Sequence, residues 1–142
     1  MAAAQQRYLE AEVRTASPLR LVLITYDVAL SSLARAAALD PARERFLYVD
    51  ALSRAQQALL TLMEGLDFAR SPELAGQLAR LYGYFYRRLA EALADDDRGA
   101  LEEVRNRLSE LREAWQELLE RGLDGSARQA PREEGRLLSV TG

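Results

Sequence analysis

The sequence predicts an all-α protein, an antiparallel up-down four-helix bundle. Three observations predict this class: helix-start signals recur along the chain, apolar residues between them repeat with the period of an α-helix, and no segment alternates apolar and polar residues as a half-buried strand does. The chain of 142 residues has the length of a single domain. Folding at this size buries roughly 70% of the surface that the unfolded chain exposes, which is enough for a core without disulfides.

Four helix starts are written into the sequence. Ser17, Asp40 and Ser71 each stand directly before a proline. An oxygen-bearing side chain at the N-cap accepts from free N–H groups of the first turn, and proline at the first helical position loses no hydrogen bond. Three helices are therefore predicted to begin at positions 18, 41 and 72. A fourth is predicted to begin near Arg98, because three aspartates precede it and favour the positive end of a helix.

Apolar residues mark one buried side on each predicted helix. The second and third helices are predicted over residues 41–66 and 72–94, and the fourth is predicted to end at Gly122, a residue type common just after a helix. In chain order, the predicted core residues are Leu19, Val22, Leu23, Tyr26, Leu30, Leu33 and Ala37; Val49, Leu52, Ala55, Leu59, Leu62, Met63 and Leu66; Leu74, Leu78, Leu81, Phe85, Leu89 and Ala92; and Leu101, Val104, Leu108, Leu111, Trp115, Leu118 and Leu119.

The chain divides into a bundle and two flanking segments. Long helices joined by short loops pack as antiparallel neighbours, so residues 17–122 are predicted to form the four-helix bundle. Residues 1–16 are rich in alanine and are predicted to form a short additional helix or cap segment. Residues 123–142 carry Gly, Pro, Ser and mixed charge without a period, which predicts a disordered, flexible tail.

Composition excludes several classes of function. There is no Cys and no His, so disulfides and the usual zinc, haem and iron–sulfur ligands are absent from the sequence. The three consecutive aspartates lack the alternating oxygen ligands of a calcium loop, and we interpret them as a helix cap. Without an imidazole base or a glycine-rich phosphate loop we expect no enzyme, no cofactor and no metal site.

The charge pattern and the hydropathy of the chain predict a soluble protein inside the cell. Nineteen arginines and 22 acidic residues give a formal charge of -3 with the signs interspersed, which argues against a nucleic-acid partner. The longest uninterrupted apolar run falls well short of the ~18 residues that span a bilayer, and charges interrupt the N-terminus where a signal peptide would be apolar. We therefore expect a cytoplasmic protein with no membrane insertion.

The first predicted helix has apolar residues on a second side. At 100° per residue, Leu21, Ile24 and Val28 fall nearly opposite the predicted core stripe. Each such side chain left in water forgoes about 1.5 to 3 kcal/mol of burial. Three explanations remain open: the N-terminal segment folds back over them, the bundle packs off-centre, or an amphipathic segment of a partner lies there. The first and third coexist if the N-terminal segment is a removable cover.

The third predicted helix carries small residues on one narrow arc. Gly76, Ala79 and Gly83 lie beside its core stripe, and each interior glycine costs roughly 1 kcal/mol relative to alanine. The arc therefore indicates either a tight contact inside the bundle or a docking groove for an incoming chain. Tyr82 and Tyr86 flank the core stripe, and tyrosine is enriched where proteins meet.

Several of these segments resemble the flagellar secretion chaperones of the FliS type. The resemblance rests on "YLEAEVRTASPLRLVLITYDVAL" at residues 8–30, "LDFARSPELAGQLARLYGYFYRRLAEAL" at 66–93 and "VRNRLSELREAWQELL" at 104–119. Its most specific parts are the Thr-Ala-Ser-Pro turn at residues 15–18, the pair Tyr26 and Asp27, the Leu-Tyr-x-Tyr block that starts at Leu81, and the Leu-Arg-x-x-Trp motif that ends at Trp115. The order and spacing of these motifs cover nearly all of the predicted bundle.

The resemblance implies a helical bundle that binds flagellin in the cytoplasm and delivers it to the flagellar export apparatus. In this family the chaperone receives the disordered C-terminal segment of flagellin, which folds partly on contact, and the N-terminal segment covers part of the apolar surface while cargo is absent. Tyr8 matches the family's N-terminal tyrosine and is a candidate for that cover or for docking on the export gate. The alternative function is a structural or regulatory interaction module, a bundle that self-associates through the second apolar side of its first helix. We expect a monomer, with a dimer as the other possibility.

Overall fold

The structure is a computed structural model that describes residues 18–123. This part of the chain contains four α-helices and no strand. In chain order they are α1 Pro18–Ala38, α2 Arg45–Glu64, α3 Pro72–Asp95 and α4 Arg98–Leu123. The predicted cap segment, residues 1–16, and all but the first residue of the predicted tail lie outside the described residues.

The four helices form the predicted antiparallel bundle. Helix α1 packs against α2 and α4, and α3 packs against the same two helices, so α1 and α3 lie diagonally across the core. The connections are short, at residues 39–44, 65–71 and 96–97, as expected for up-down neighbours. The fold class predicted from the sequence is therefore confirmed.

Three helix starts match the prediction, and the start of α2 does not. Asp40 accepts hydrogen bonds from the N–H groups of Ala42 and Arg43 at 2.9 and 3.1 Å, and these bonds lower the pKa of its carboxyl. The capping role of Asp40 was correctly predicted, but residues 41–44 form a turn. Glu44 has φ -115° and ψ 42°, outside the helical region, so the continuous helix begins at Arg45 instead of position 41.

The N-cap residues of α3 and α4 differ in whether their side chains accept a hydrogen bond from the helix. Asp97 accepts from the N–H of Ala100 at 3.0 Å, which is the predicted use of the aspartate run before α4. Ser71 occupies the N-cap position of α3, but its hydroxyl makes no cap hydrogen bond. Helix α4 continues through Gly122 to Leu123, so the predicted stop at Gly122 was one residue early.

The buried core lies on the predicted side of each helix, with corrections at small and aromatic residues. Leu19, Leu81, Trp115 and other predicted core residues are only half-buried. The core instead draws heavily on alanines and on Tyr82, because the helices approach closely enough to enclose them. The buried residues that the predicted stripes omitted are Ala29, Ser32, Ala36, Tyr48, Ala51, Ala58, Ala75, Tyr82 and Ala100.

Two arginines seal one end of the bundle, which we call the closed end. Arg98, the first residue of α4, donates to the carbonyl oxygens of Ala36 and Ala37 at the end of α1, at 3.3 and 2.8 Å. Arg45, the first residue of α2, donates to Leu93 O at 2.9 Å near the end of α3. The last carbonyls of a helix have no partner inside it, so each guanidinium supplies donors and a charge that favours the negative helix end.

A hydrogen-bonded network joins α3 to α4 along their outer side. The Tyr84 hydroxyl donates to Glu103 at 2.6 Å, and Arg88 Nε donates to the other oxygen of that carboxylate at 2.9 Å. These bonds lower the pKa of Glu103, the Tyr84 hydroxyl being the larger cause and Arg88 a further one. Arg88 also binds Glu91 on its own helix.

Replacing Arg98 by alanine tests the seal at the closed end. We expect Arg98→Ala to lower the free energy of unfolding by about 1 kcal/mol, because the carbonyl of Ala37 loses the Arg98 donor and that of Ala36 keeps only the Leu39 N–H at 3.2 Å. Arg105→Ala is the matched control, since within residues 18–123 the ion pair of Arg105 is with Glu102, one turn away at 3.5 Å, and a change within about 0.5 kcal/mol is expected. Urea denaturation measures both. Equal losses in the two variants would contradict the sealing role.

Replacing Glu103 by glutamine tests the network between α3 and α4. A carboxyl whose pKa is lowered in the folded state stabilises the fold above its unfolded pKa, about 4.3, and this contribution disappears as pH falls through the folded pKa. Glu103→Gln should therefore lower stability at pH 7, and the difference from the parent chain should shrink below about pH 4. Thermal unfolding at several pH values checks this, with Glu110→Gln on the exposed side of α4 as control. A difference that stays constant with pH would refute it.

Candidate functional site

Two grooves flank α1 on the surface of the bundle. The first, which we call the end groove, has a volume of about 580 Å³ and lies at the end opposite the closed end. The second, the side groove, has a volume of about 360 Å³ and runs between α1 and α4. The larger volume is within the range of ordinary ligand sites, so the end groove can hold several side chains of a partner.

Four helices and one loop build the end groove. Its walls are formed by the first turns of α1 and α3, the last turns of α2 and the 65–71 connection. Trp115 of α4 also lines the groove. One connection, of seven residues, lies at this end, whereas connections of six and two residues both lie at the closed end. Its apolar wall consists of Leu21, Val22, Leu62, Leu66, Leu74 and Leu78.

Three hydrogen-bonded aromatic residues lie beneath the end groove. Trp115 Nε1 donates to the Tyr26 hydroxyl at 3.0 Å, and the hydroxyl oxygens of Tyr26 and Tyr82 are 2.6 Å apart. Tyr82 and Trp115 line the groove, whereas Tyr26 lines neither groove and has no exposed surface. Burial raises the pKa of Tyr82 to about 12 and that of Tyr26 well above its usual range, so both hydroxyls keep their hydrogens near neutral pH.

The side groove is shorter and more polar. Ile24 and Val28 of α1 lie on one wall, and Arg112 of α4 lies on the other. Arg112 binds Asp27 through Nε at 2.5 Å and through Nη2 at 3.3 Å, and this partner raises the pKa of Arg112. Asp27, which is exposed on α1, therefore forms a salt bridge to α4.

Helix α1 has a second apolar side in the structure, and its residues are divided between the two grooves. Leu21 is half-buried and lines the end groove, while Ile24 is half-buried and lines the side groove with Val28, which is 38% exposed. Over its most apolar 18 residues α1 has a mean hydropathy of 1.4, yet only a third of that window is buried. Among the residues described, α1 alone is long and apolar enough to cross a membrane, but here it packs against two helices.

The small residues of α3 make no tight contact in the bundle. A Cβ added at Gly76 would meet only Arg80 Nη1 at 3.9 Å, and one added at Gly83 would meet only Arg87 Nη1 at 3.4 Å. Neither contact is with another helix, so the interpretation of this arc as a close helix contact is wrong for the described residues. Ala79 between them is half-buried. None of the three lines either groove, and their role in docking stays a prediction.

The remaining candidates lie in three different settings. Tyr82 is 1% exposed and belongs to the core beneath the end groove, so it does more than flank the stripe. Tyr86 is half-buried, and its carbonyl accepts from Gln56 of α2 at 3.2 Å. Tyr8 lies outside the described residues. Of the candidate residues named from the sequence, Leu21 and Tyr82 line the end groove, and Ile24 and Val28 line the side groove.

Two kinds of surface residue escaped the sequence reasoning. Leu66, Leu74, Leu78 and Trp115 were assigned to the core alone, yet they also line the end groove. Periodicity could not reveal this, because it does not say where neighbouring helices end. Phe46 is 84% exposed near the closed end and was not singled out, because the apolar run Phe46–Val49 does not show by itself which of its residues face solvent.

Comparisons with known proteins connect these features to one family. The family model described as flagellar protein FliS matches residues 1–122. The chain is 36% identical over 111 residues to the flagellar secretion chaperone FliS of Salmonella typhimurium, covering 78% of this chain and 82% of that protein. It is 37% identical over 114 residues to the flagellar secretion chaperone FliSB of Pseudomonas aeruginosa, covering 78% and 88%. For the flagellar secretion chaperone FliS of Bacillus subtilis the identity is 30% over 118 residues, covering 80% and 84%.

Adding one methyl group tests the open surface of α3. We expect Gly76→Ala to raise the free energy of unfolding by about 0.5 to 1 kcal/mol, because alanine restricts the unfolded chain and the added Cβ has room. Gly99→Ala is the control, since its Cβ would lie 3.2 Å from the Asp97 oxygen that caps α4, and we expect no gain there. Chemical denaturation compares the two. A clear loss of stability in Gly76→Ala would mean that another part of the protein packs on this arc.

Proposed function

This chain belongs to the FliS family of flagellar proteins, and we propose that it is a cytoplasmic secretion chaperone that binds the disordered C-terminal segment of flagellin. Bound in this way, flagellin would not polymerise prematurely and would be delivered to the flagellar export apparatus. The proposed action needs no catalysis, cofactor or metal. The observation that carries the proposal is the apolar surface of α1 that residues 18–123 leave uncovered: only a third of the most apolar stretch of this helix is buried.

The mechanism we propose is surface burial. Leu21 in the end groove and Ile24 and Val28 in the side groove lie on one helix, so a single amphipathic segment that follows α1 can contact both grooves. A segment that folds on binding loses about 2 to 5 kcal/mol or more to ordering, and contact with one groove alone would offset little of that. An extended contact along α1 therefore suits a cargo that is disordered before it binds.

The N-terminal segment is the proposed cover of this surface. Pro18, the first described residue, lines the end groove, which supports a cover supplied by the chain that precedes it. A segment held there reversibly would shield apolar side chains until cargo displaces it. Tyr8 is the proposed anchor of the cover or a contact with the export gate. The arc of Gly76, Ala79 and Gly83 with Tyr86 offers a second docking strip on α3.

A self-associating bundle is the alternative function, and two exposed residues favour it. Phe46 and Leu47 are 84% and 52% exposed at the start of α2, away from both grooves. Sedimentation velocity separates the two functions. A monomer that forms a one-to-one complex with a flagellin C-terminal peptide supports the chaperone, whereas a tight dimer that is indifferent to the peptide supports self-association.

A charge placed in either groove should weaken cargo binding. We expect Leu21→Asp and Ile24→Asp each to lower the affinity for the flagellin C-terminal segment about tenfold or more, since each removes roughly 1.5 kcal/mol or more of apolar contact. Both side chains are only half-buried, so the melting temperature should fall by a smaller proportion. Isothermal titration calorimetry and thermal unfolding give the two quantities.

Phe46→Asp is the matched control for that experiment. It makes the same apolar-to-acidic change on a residue that is 84% exposed and remote from both grooves, so affinity should stay unchanged. Parent-like affinity in both α1 variants would place the cargo site elsewhere. Co-purification with flagellin, full-length and truncated at its C-terminus, tests the cargo itself: retention of the truncated form would refute the proposed segment.

A further inference from the structure

The end groove keeps an apolar opening that residues 18–123 do not cover. Leu21 and Val22 of α1 line it from one side and Leu66 lines it from the 65–71 connection, and all three are half-buried. Phe68, in the same connection, is 51% exposed. Apolar surface on two walls of one groove favours an occupant that brings aliphatic side chains.

The rim of the end groove carries one charge of each sign. Asp67 and Arg70 both line the groove and are exposed, and the Asp67 carboxylate accepts from the Arg70 backbone N–H at 3.0 Å. Neither side chain forms an ion pair within residues 18–123. An occupant with an acidic and a basic residue next to its apolar part therefore complements this rim.

Both ends of the described chain lie at the end groove. Trp115 of α4 donates to Tyr26 of α1 at 3.0 Å, so these two residues mark one level of the bundle. Pro18 stands eight residues before Tyr26, and Leu123 stands eight residues after Trp115. Because the two helices are antiparallel and each residue advances about 1.5 Å, the end of α4 is close to level with Pro18, which lines the groove.

The chain that follows α4 contains one segment of matching composition. The large aliphatic side chains of residues 124–142 stand together, directly after charges of both signs. In order these residues are Glu133, Glu134, Arg136, Leu137, Leu138 and Val140. We call residues 133–140 the tail segment. It lies beyond residue 122, where the match to the family model ends, so it is a feature of this chain that the family match does not cover.

The tail segment is near enough to dock in the end groove. Leu137 follows Leu123 by 14 residues, and a flexible chain of that length has an r.m.s. span of about 20 Å. Packed helices lie about 10 Å apart, so a groove beside the end of α4 is well within that span. A short flexible connection gives an effective concentration of about 1 mM, so even a weak contact is populated.

We infer that the tail segment docks intramolecularly in the end groove and competes there with any partner. Its leucines pack against the side formed by α3 and the 65–71 connection, its acidic pair lies beside Arg70, and Arg136 lies beside Asp67. The N-terminal cover proposed above lies along α1, on the other side of the groove. The inference goes beyond the proposed function and depends on it only where flagellin is named as the competing partner.

A spin label tests this docking without any cargo. The chain has no cysteine and a single tryptophan, so Ser139→Cys gives one attachment site and Trp115, which lines the groove, gives one indole N–H resonance. In the full-length protein we expect a nitroxide at position 139 to remove most of the intensity of that resonance. Adding Leu137→Asp and Leu138→Asp to the labelled chain should restore the intensity, because the apolar contact is lost.

Ala127→Asp with Ala130→Asp is the matched control for the leucine variant. It places the same two charges after α4 but outside the tail segment, so the resonance should stay weak. Full intensity in the labelled parent overturns the inference, as would happen if the N-terminal segment filled the groove. In a mixture of labelled chains with isotopically enriched unlabelled chains, loss of the Trp115 resonance would assign the tail segment to a second copy and also overturn it.

Reversing one rim charge tests the assigned pairs. We expect Arg70→Glu to weaken docking about threefold, the upper range for an exposed ion pair, and Glu133→Arg with Glu134→Arg to restore it. Arg43→Glu is the matched control, because Arg43 is also exposed and its N–H donates to an aspartate three residues earlier, Asp40, at 3.1 Å, but at the closed end. Equal recovery of the Trp115 resonance in the two single variants would overturn the pairing.

A cargo titration separates this inference from the proposed function. Leu137→Asp with Leu138→Asp should tighten binding of the flagellin C-terminal segment about threefold, the factor expected if the tail segment leaves the groove open a third of the time. Loss of the Trp115 resonance in a labelled chain that binds no flagellin would refute the cargo alone. Flagellin affinity that is unchanged by the leucine variant would refute the inference alone.

Discussion

The hydrogen-bonded cluster of Trp115, Tyr26 and Tyr82 is the constraint on which the rest of this bundle depends. Helices α1 and α3 lie diagonally across the core, and the two tyrosine hydroxyls join them at 2.6 Å. Trp115 adds α4 to the same cluster. Apolar side chains alone permit small shifts of one helix along another, whereas a buried hydroxyl pair has one favourable register because an unpaired partner is costly. The cluster therefore fixes the helices at the end where the larger groove opens.

The two ends of the bundle differ in how their helix ends and connections are packed. At the closed end Arg45 and Arg98 hold the last carbonyls of α3 and α1, and Asp96 takes a left-handed conformation with φ 52° in a two-residue connection. Aspartate tolerates that conformation better than most residues. At the other end a seven-residue connection leaves apolar side chains in an open groove. Arginine hydrogen bonds to helix ends close one end of the bundle, and the larger groove opens at the other.

The sequence predicted the fold well because its signals are local. Proline after an oxygen-bearing residue marked the starts of α1 and α3, and the family resemblance is confirmed by the comparisons. The start of α2 was misplaced because Asp40 caps a turn as readily as a helix. The second apolar side of α1 was also predicted from periodicity. Its division into two grooves was not, because that depends on where α2 and α4 lie, and the tyrosine pair joins residues 56 positions apart.

The contact between α1 and α4 also bears on synthesis at the ribosome. Helix α1 packs on α2, its neighbour in sequence, but it packs as well on α4, which begins sixty residues after α1 ends. Contacts between segments that are distant in sequence form last, and the N-terminal part of a chain emerges first. The nascent chain therefore exposes one flank of its most apolar helix until α4 has been translated, and closure of the four-helix bundle comes late.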